Sequence, residues 1–449
     1  MEEAAPLVAI PDAPVPEGAD AAWIRGYAGA PLRAALFTPT TRPRGSIVLS
    51  GGRTEVIEKY FEVIEDFLER GFVVLAHDWR GQGLSHRTLP DPLKGHADGA
   101  RSFLEDFRIL LGAYQERLPR PWVAVAHSMG GCLTLLAMAR GEDRFSGAIL
   151  SAPMLGVQTG GRSLATAKML VGVSKLFGRG RHYILKDPGK PFGEPFESNV
   201  LTHDPRRYAR AIAQLEAEPR LALGNPTWDW LDFALKATAE LARPERLARV
   251  TVPVIIVSAE DDRLVDNAAQ QAAARHLPQG RFINVPGAYH EILMESDDMR
   301  NIFMRAFDAL TGRIAPKPAE PPAATAPAPA SAAAPAPVPT PPPMFGSEPA
   351  PAAVAANAPS PAARKPAARK PAAKKPAAKA ASAKAPAARK AATKPAAAKK
   401  PAASKKPAAK KPAAAKAATA KKAPAAKKAP AAKKPAAAKK APARKGRAK

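Results

Sequence analysis

Ala126-His127-Ser128-Met129-Gly130-Gly131 is the stretch on which the reading of this chain turns. A short apolar β-type run, Pro121-Trp122-Val123-Ala124-Val125, leads into it. A helix-like run, Cys132-Leu133-Thr134-Leu135-Leu136-Ala137-Met138, leads out. A serine in a tight turn between a buried strand and a helix stands with its hydroxyl exposed above the sheet. Small residues are needed around it because strand and helix pass very close. The helix N-terminus is aimed at the serine, where it favours developing negative charge. The pattern G-x-S-x-G for such a nucleophile-bearing turn is met with Ala126 in place of the first glycine, the smallest side chain that could stand there.

A nucleophilic serine needs a base, and the base needs an acid to orient it; on this kind of turn the order along the chain is Ser, then acid, then His. Pro253-Val-Ile-Ile-Val-Ser258 reads as a buried strand running into the acidic loop Ala259-Glu260-Asp261-Asp262-Arg263-Leu264-Val265. Arg281-Phe282-Ile283-Asn284-Val285 reads as the next strand, followed by Pro286-Gly287-Ala288-Tyr289-His290. Each candidate thus follows the C-terminal end of a strand, where parallel sheets bind their ligands. The expected triad is Ser128, Asp262 and His290. The oxyanion of the reaction needs two converging backbone N–H groups. Met129, after the serine, supplies one. The loop Ser50-Gly51-Gly52-Arg53-Thr54-Glu55 supplies the other, assigned to Arg53. The histidines show no ligand-spaced cluster, so neither a metal nor an organic cofactor is expected.

Outward from these segments the sequence alternates strands and helices. Residues 23–27 and 32–37 suggest an opening antiparallel pair. Strands at 46–49, 72–76 and 147–151 and helices at 57–69 and 98–117 fill the βα rhythm. The expectation is an α/β fold, a mostly parallel sheet with helices on both faces. The rhythm breaks between about 155 and 245, which reads as an inserted, mainly helical cap. Within it Met169, Leu170, Val173, Leu176 and Phe177 form a stripe at helical spacing, flanked by Lys168, Lys175, Arg179 and Arg181. Such a stripe is ordinarily packed core; the other reading is a lid helix that touches acyl chains or membrane.

Composition divides the 449 residues further. The chain's net charge is +28, and 30 of its 68 Lys and Arg lie in 361–449, which contains no Asp or Glu; residues 1–360 hold the other 38 against all 40 acids, a net of −2. Four segments follow: a disordered 1–20, a body over 21–314, a Pro/Ala-rich linker over 315–360, and a basic Lys/Ala/Pro tail over 361–449 that proline keeps from forming helix. Residues 1–20 lack the basic start and apolar run of a secretory signal, and no stretch is apolar for long enough to span a bilayer. The single Cys132 excludes an internal disulfide and reads as a small buried hydrophobe. A cytoplasmic location is expected, at the nucleoid or inner membrane if the tail holds it there.

The body resembles the bacterial lysophospholipase and monoacylglycerol lipase branch of the α/β-hydrolases. Residues 126–131 are similar to that family's G-H-S-M-G-G, and Asp78-Trp79-Arg80-Gly81-Gln82-Gly83 to its D-x-R-G-x-G. Asp262-Arg263-Leu264-Val265-Asp266 is similar to D-R-x-V-D, and Gly287-Ala288-Tyr289-His290-Glu291 to G-x-x-H-E. Gly51-Gly52-Arg53-Thr54-Glu55 is closer to the P-G-R-x-E of bacterial lysophospholipases than to the H-G-x-x-E of monoacylglycerol lipases. The cap segments Leu201-Thr202-His203-Asp204-Pro205-Arg206-Arg207-Tyr208 and Asn225-Pro226-Thr227-Trp228-Asp229-Trp230 also resemble that branch. The resemblance implies a serine hydrolase acting on an ester of a single-chain glycerolipid. The tail lies outside it and resembles, in composition only, the C-terminal arms of linker histones. Its charge implies a polyanionic partner, with DNA ahead of an anionic membrane surface.

Overall fold

A computed structural model describes residues 3–316. Eight strands form one sheet: β1 (Ala19–Arg25), β2 (Pro31–Phe37), β3 (Gly45–Ser50), β4 (Phe72–His77), β5 (Trp122–His127), β6 (Phe145–Ser151), β7 (Val254–Ala259) and β8 (Gly280–Val285). Their order is β1-β2-β4-β3-β5-β6-β7-β8, and all pairs from β4 onward are parallel. β1 and β2 run antiparallel to each other, and β2 runs antiparallel to β4.

The central strands are apolar along their whole length because both faces are covered. Val48, Leu75, Ala124, Leu150 and Ile256 point to one face, packed under α2 (Ala100–Ala113), α3 (Ser128–Ala139) and α6 (Trp228–Leu241). Their strand neighbours Ile47, Val74, Val125, Ile149 and Val257 point to the other, under α1 (Phe61–Glu69) and α9 (Asp297–Ile314). The stripe Tyr60, Phe61, Ile64 and Phe67 is buried there, although Tyr60 belongs to a 3₁₀ turn that precedes α1. The helix expected over 98–117 ends at Ala113 and is followed by a second 3₁₀ turn. α3 is buried on all sides, so the helix after the key serine carries no amphipathic pattern.

Between β6 and β7 the chain makes α4 (Leu164–Leu176), α5 (Pro205–Ala217), α6 and the short α7 (Pro244–Leu247); α8 (Asn267–His276) follows β7. This is the region expected as a cap up to about 245. Its last third is corrected: Phe233, Ala234, Ala237 and Leu241 of α6 sit in the main core beside α3. α6 belongs to the layered body, and the part that stands off the sheet ends before it.

The expectation of disorder over 1–20 is also corrected for the described residues. Ala5 N–H donates to Ala21 O at 2.9 Å, and Trp23 N–H to Glu3 O at 2.8 Å. Val8 N–H donates to Glu58 Oε1 at 3.2 Å, and Ala13 is buried. The segment has too little apolar surface to pack by itself, but edge strand β1 offers it unpaired backbone groups. Ala315 is buried, and its carbonyl accepts from Arg44 Nε at 2.7 Å. The rest of the expected linker and the whole expected tail, 317–449, lie outside the described residues. Among those described, no helix is long and apolar enough to cross a membrane.

Candidate active site

Ser128 sits where β5 becomes α3, with φ at +48°, a left-handed conformation that costs a non-glycine residue on the order of 1–3 kcal/mol. The neighbours make the turn possible. A Cβ on Gly130 would stand 2.4 Å from the carbonyl oxygens of Ser50 and Gly51, and one on Gly131 2.8 Å from Pro153 Cβ. Ala126, the departure from the motif, is fully buried within β5. Ser128 O accepts from Met154 N–H at 2.9 Å, which ties the turn to the segment leaving β6.

His290 follows β8, with its Nε2 2.9 Å from Ser128 Oγ and its Nδ1 2.6 Å from Asp262 Oδ2. The structure therefore brings the three residues expected from sequence into one hydrogen-bonded chain. The two aspartates of Asp262-Arg263-Leu264-Val265-Asp266 divide the local work. Asp262 Oδ1 accepts from Leu264 and Val265 N–H, at 2.8 and 3.0 Å, leaving Oδ2 for the imidazole. Asp266 caps α8 instead. Burial pushes the Asp262 carboxyl up, but the hydrogen bond from His290 and those two amides outweigh it and hold it below the ordinary aspartate value. Asp261 is exposed and its N–H is spent on Ala288 O at 3.0 Å.

Of the two expected N–H donors, Met129 lies buried in the first turn of α3. Arg53 lies in the loop after β3, which runs against the nucleophile: a Cβ on Gly52 would be 3.0 Å from Ser128 Cβ and 2.9 Å from His127 Cδ2. Trp79 Nε1 donates to Gly51 O at 2.9 Å, and Gln82 Nε2 to Gly52 O at 2.6 Å and to Glu55 O at 3.0 Å. Segment 78–83 is thus a brace beneath this loop. It is anchored through Asp78, which sits in a fully buried group with Arg33 and Glu58.

Several residues that sequence reasoning left without a role stand beside the site. Glu55 receives Gly52 N–H, Tyr60 Oη–H at 2.5 Å and Lys59 Nζ at 2.9 Å; Lys59 also pairs with Glu291 at 2.6 Å, next to His290. Burial opposes the Glu55 charge, yet Lys59, His127 and Tyr60 together bring its carboxyl down to about 2. His127, its ring 4.7 Å from that of His290, is pushed down to about 4, chiefly by burial. The cap is stitched to the histidine loop by Glu291 N–H to Leu201 O at 2.9 Å and Thr202 Oγ1 to Met294 O at 2.6 Å. Arg207 adds ion pairs to Glu62 and Asp297, both at 2.6 Å. Glu55, Glu291, Thr202 and Arg207 stand inside the segments quoted above and Lys59 follows one of them; nothing in sequence shows their partners across the fold.

A cleft of about 290 Å³ opens between α5 and the body. Thr54, Leu264 and Glu291 line it from the three site segments, and Tyr208, Ile212 and Leu215 line it from α5. Its walls are mostly apolar. Among the described residues no three His, Cys, Asp or Glu form a metal-binding group.

Comparison with known proteins gives the family of the chain. Residues 41–297 match the serine aminopeptidase S33 family. The chain is 33% identical over 302 residues to lysophospholipase L2 of Escherichia coli, covering 64% of this chain and 86% of that one. It is 29% identical over 284 residues to a monoacylglycerol lipase of Mycolicibacterium smegmatis, covering 61% and 90%. A thermostable carboxyl esterase from Bacillus coagulans, solved with glycerol, shares the fold at a TM-score of 0.55 and 20% identity, over 67% of this chain and 99% of that one. On the family match and the relatives together, this chain belongs to the serine aminopeptidase S33 family, in the lysophospholipase and monoacylglycerol lipase branch of the α/β-hydrolases, and is an ester hydrolase.

Proposed function

We propose that the chain hydrolyses the carboxylic ester of a single-chain glycerolipid through Ser128, His290 and Asp262. The observation that carries this is the continuous chain Ser128 Oγ–His290 Nε2 at 2.9 Å and His290 Nδ1–Asp262 Oδ2 at 2.6 Å. His290 takes the hydroxyl proton as Ser128 Oγ bonds to the carbonyl carbon. Asp262 fixes the imidazole tautomer and stabilises the imidazolium. Arg53 and Met129 N–H hold the oxyanion. Collapse breaks the bond to the glycerol oxygen, which leaves with the proton from His290. Water then attacks the acyl-enzyme and gives a proton to His290; the bond between the acyl carbon and Ser128 Oγ breaks, His290 returns the proton to Oγ, and the fatty acid is freed. The apolar cleft beside Leu264 and Glu291 takes the acyl chain; its volume and lining suit a ligand apolar along most of its length.

The substrate class rests on the relatives, whose names are lysophospholipase L2 and monoacylglycerol lipase. Two measurements test the proposal together. A fluorophosphonate probe is expected to label Ser128 in the intact chain, and a panel of p-nitrophenyl esters, monoacylglycerols and lysophospholipids is expected to show turnover of single-chain glycerolipids. Labelling of another serine overturns the assignment.

The segment 361–449 acts, on this proposal, as a polyanion-binding tail joined by the Pro/Ala-rich linker to the hydrolase body. Thirty cations without one acid bind phosphates by counterion release. Absence of aromatics there leaves no stacking platform, so DNA binding is without sequence preference. Such a tail holds a cytoplasmic enzyme at the nucleoid. Removing 317–449 is expected to abolish retention on DNA at about 0.1 M salt and to leave kcat/KM on a soluble ester unchanged. Retention on anionic vesicles but not on DNA moves the tail to the inner membrane instead.

A further inference from the structure

Exposed apolar side chains and unbalanced positive charge are gathered in one segment of the cap. Every large apolar side chain exposed among the described residues, except Leu264, lies between 164 and 192. The overlapping stretch 162–190 holds seven Lys and Arg against a single acid, Asp187. That stretch has a net charge of +6, so the remainder of 1–360, which totals −2 with it, carries −8. Ion pairs occupy two of the seven cations, Lys175 with Asp229 and Asp232, and Lys190 with Glu194. Arg162, Lys168, Arg179, Arg181 and Lys186 are exposed and form no ion pair among the described residues. An apolar surface rimmed by charge marks a contact with something outside the chain.

The geometry of α4 gives that contact a shape. Its inner side is spent on α6, where Ala167 and Val171 pack on Leu235. Met169, Gly172, Val173 and Leu176 recur at intervals of three and four and share the outer side. Phe177 ends the stripe, and Lys168, Arg179 and Arg181 border it. A helix of this kind lies in a bilayer interface with its apolar side chains below the headgroups, while long basic side chains reach back to the phosphates. A second copy of this chain is the poorer occupant, because it brings +6 against +6. The position also suits lipid entry. Just before α4, Gln158 N–H donates to Leu264 O at 3.1 Å. Beyond α4, Lys190 and Pro191 line the apolar cleft, with exposed Phe192 beside them. Leu264, the exposed apolar side chain of the body, lines the same cleft.

We infer that the outer side of α4, with the segment that follows it to Phe192, is a docking surface for an anionic lipid bilayer. Leu176 and Phe177 enter the acyl region, and the bordering cations meet lipid phosphates. The surface is separate from the basic tail and from the triad. It goes beyond the proposed hydrolysis, since docking needs no turnover, and it sets where a lipid ester is taken from: the bilayer lies against the segment that rims the cleft.

A basic tail is itself drawn to anionic vesicles, so the readout has to be local to α4. Gly172→Cys puts a thiol in the middle of the stripe, where an added Cβ meets open space, and the native Cys132 is buried. A polarity-sensitive fluorophore on that thiol, in the full-length protein, is expected to shift to the blue on vesicles of equimolar phosphatidylcholine and phosphatidylglycerol. Lipids brominated in their acyl chains are expected to quench it. The same label on Ala309→Cys, exposed on α9 at the opposite face of the sheet, is expected to do neither. In the chain labelled at 172, Leu176→Ser together with Phe177→Ser is expected to cut the inserted fraction about tenfold or more. Arg179→Gln together with Arg181→Gln is expected to cut it several-fold. All four side chains are exposed, and thermal melting confirms that the fold is kept. Vesicles that bind the protein without a shift at 172 leave the tail as the contact and overturn the inference. So do equal quenching at 172 and 309, a shift that the serine pair leaves unchanged, and a shift that grows with protein concentration in the absence of lipid, which makes the face a contact between copies. A shift that the glutamine pair leaves unchanged overturns the anionic bilayer as the partner. Loss of all ester hydrolysis with the shift intact counts against the triad and not against docking, so the two failures are distinguishable.

Discussion

Seven of the eight large apolar side chains left exposed among the described residues lie between 164 and 192, in the cap; the body leaves one, Leu264. The two regions use the same sequence signal. Leu135 and Leu136 of α3 and Leu176 of α4 each stand in an apolar helical run, yet the first two are fully buried and Leu176 is 81% exposed. The difference is in the neighbours. α3 is enclosed by the sheet, α2 and α6, whereas α4 packs one side, Ala167 and Val171, onto Leu235 of α6. The expectation that Met169, Val173, Leu176 and Phe177 form core is therefore wrong: they are 60, 47, 81 and 74% exposed. Periodicity shows that a helix has an apolar face; it does not show what lies opposite. In the body each position is fixed by several partners at once, and in the cap by few. The predictions press on that contrast.

The largest effect is expected in the body. Ser128→Ala removes one oxygen from a turn whose backbone is held by Gly130, Gly131 and the Met154 hydrogen bond, so the fold stays and ester hydrolysis falls by about 10⁶ in kcat. Esterase assay and thermal melting of the same sample check both halves. Asp262→Asn is next, at about 10⁴ in kcat, because it removes the acid proposed to orient His290. Asp261→Asn costs far less, since that side chain is exposed and takes no part in the His290 contact. If Asp261 is the more sensitive, the acid sits one residue earlier than the geometry indicates.

The proposed triad could be read from the sequence because each of its elements announces itself locally. A strand ending in small residues around a serine favours such a turn, and Asp262 and His290 each follow a strand, the buried β7 and the half-exposed edge strand β8. The cap boundary was not legible: α6 reads as continuous with the cap, but Phe233 meets Phe103 of α2 and the helix packs against α3, which no local pattern reveals. The ordering of residues 3–18 escaped for the opposite reason. It depends on backbone pairing to an edge strand, which composition does not record. Glu55, Lys59 and Glu291 escaped because their association is across the fold, Lys59 reaching Glu291 over more than two hundred residues of chain.

Burial in the body also predicts an acid limit. His77, hydrogen-bonded to Ser50 Oγ at 2.9 Å, and His127 are enclosed; burial lowers them from 6.5 to about 3 and about 4. Both are neutral when folded at pH 6, while in the unfolded chain they take up protons near 6.5. Their contribution to stability is therefore complete above about pH 6.5 and is lost as pH falls toward the folded values, at up to about 1.4 kcal/mol per pH unit for each imidazole. The melting temperature should fall from pH 7 to pH 4.5, at constant ionic strength. A flat profile would mean that these rings are hydrated, and that the body is looser than its packing indicates.

The smallest effect is also the sharpest test of the contrast, because it compares identical chemistry in the two regions. Leu135→Ala removes a fully buried side chain from a helix packed on every side, where transfer and cavity terms add, and costs about 2–5 kcal/mol. Leu176→Ala removes the same atoms from a side chain that is 81% exposed in the last turn of α4 and changes stability by no more than about 0.5 kcal/mol. Alanine also has the higher helix propensity, which offsets part of even that small loss. Urea unfolding of both variants under one condition gives the two numbers, and an unchanged m-value shows that the unfolded reference is the same. Were Leu176→Ala to cost as much as Leu135→Ala, the apolar face of α4 would be covered in solution, and the cap would be a packed element like the body.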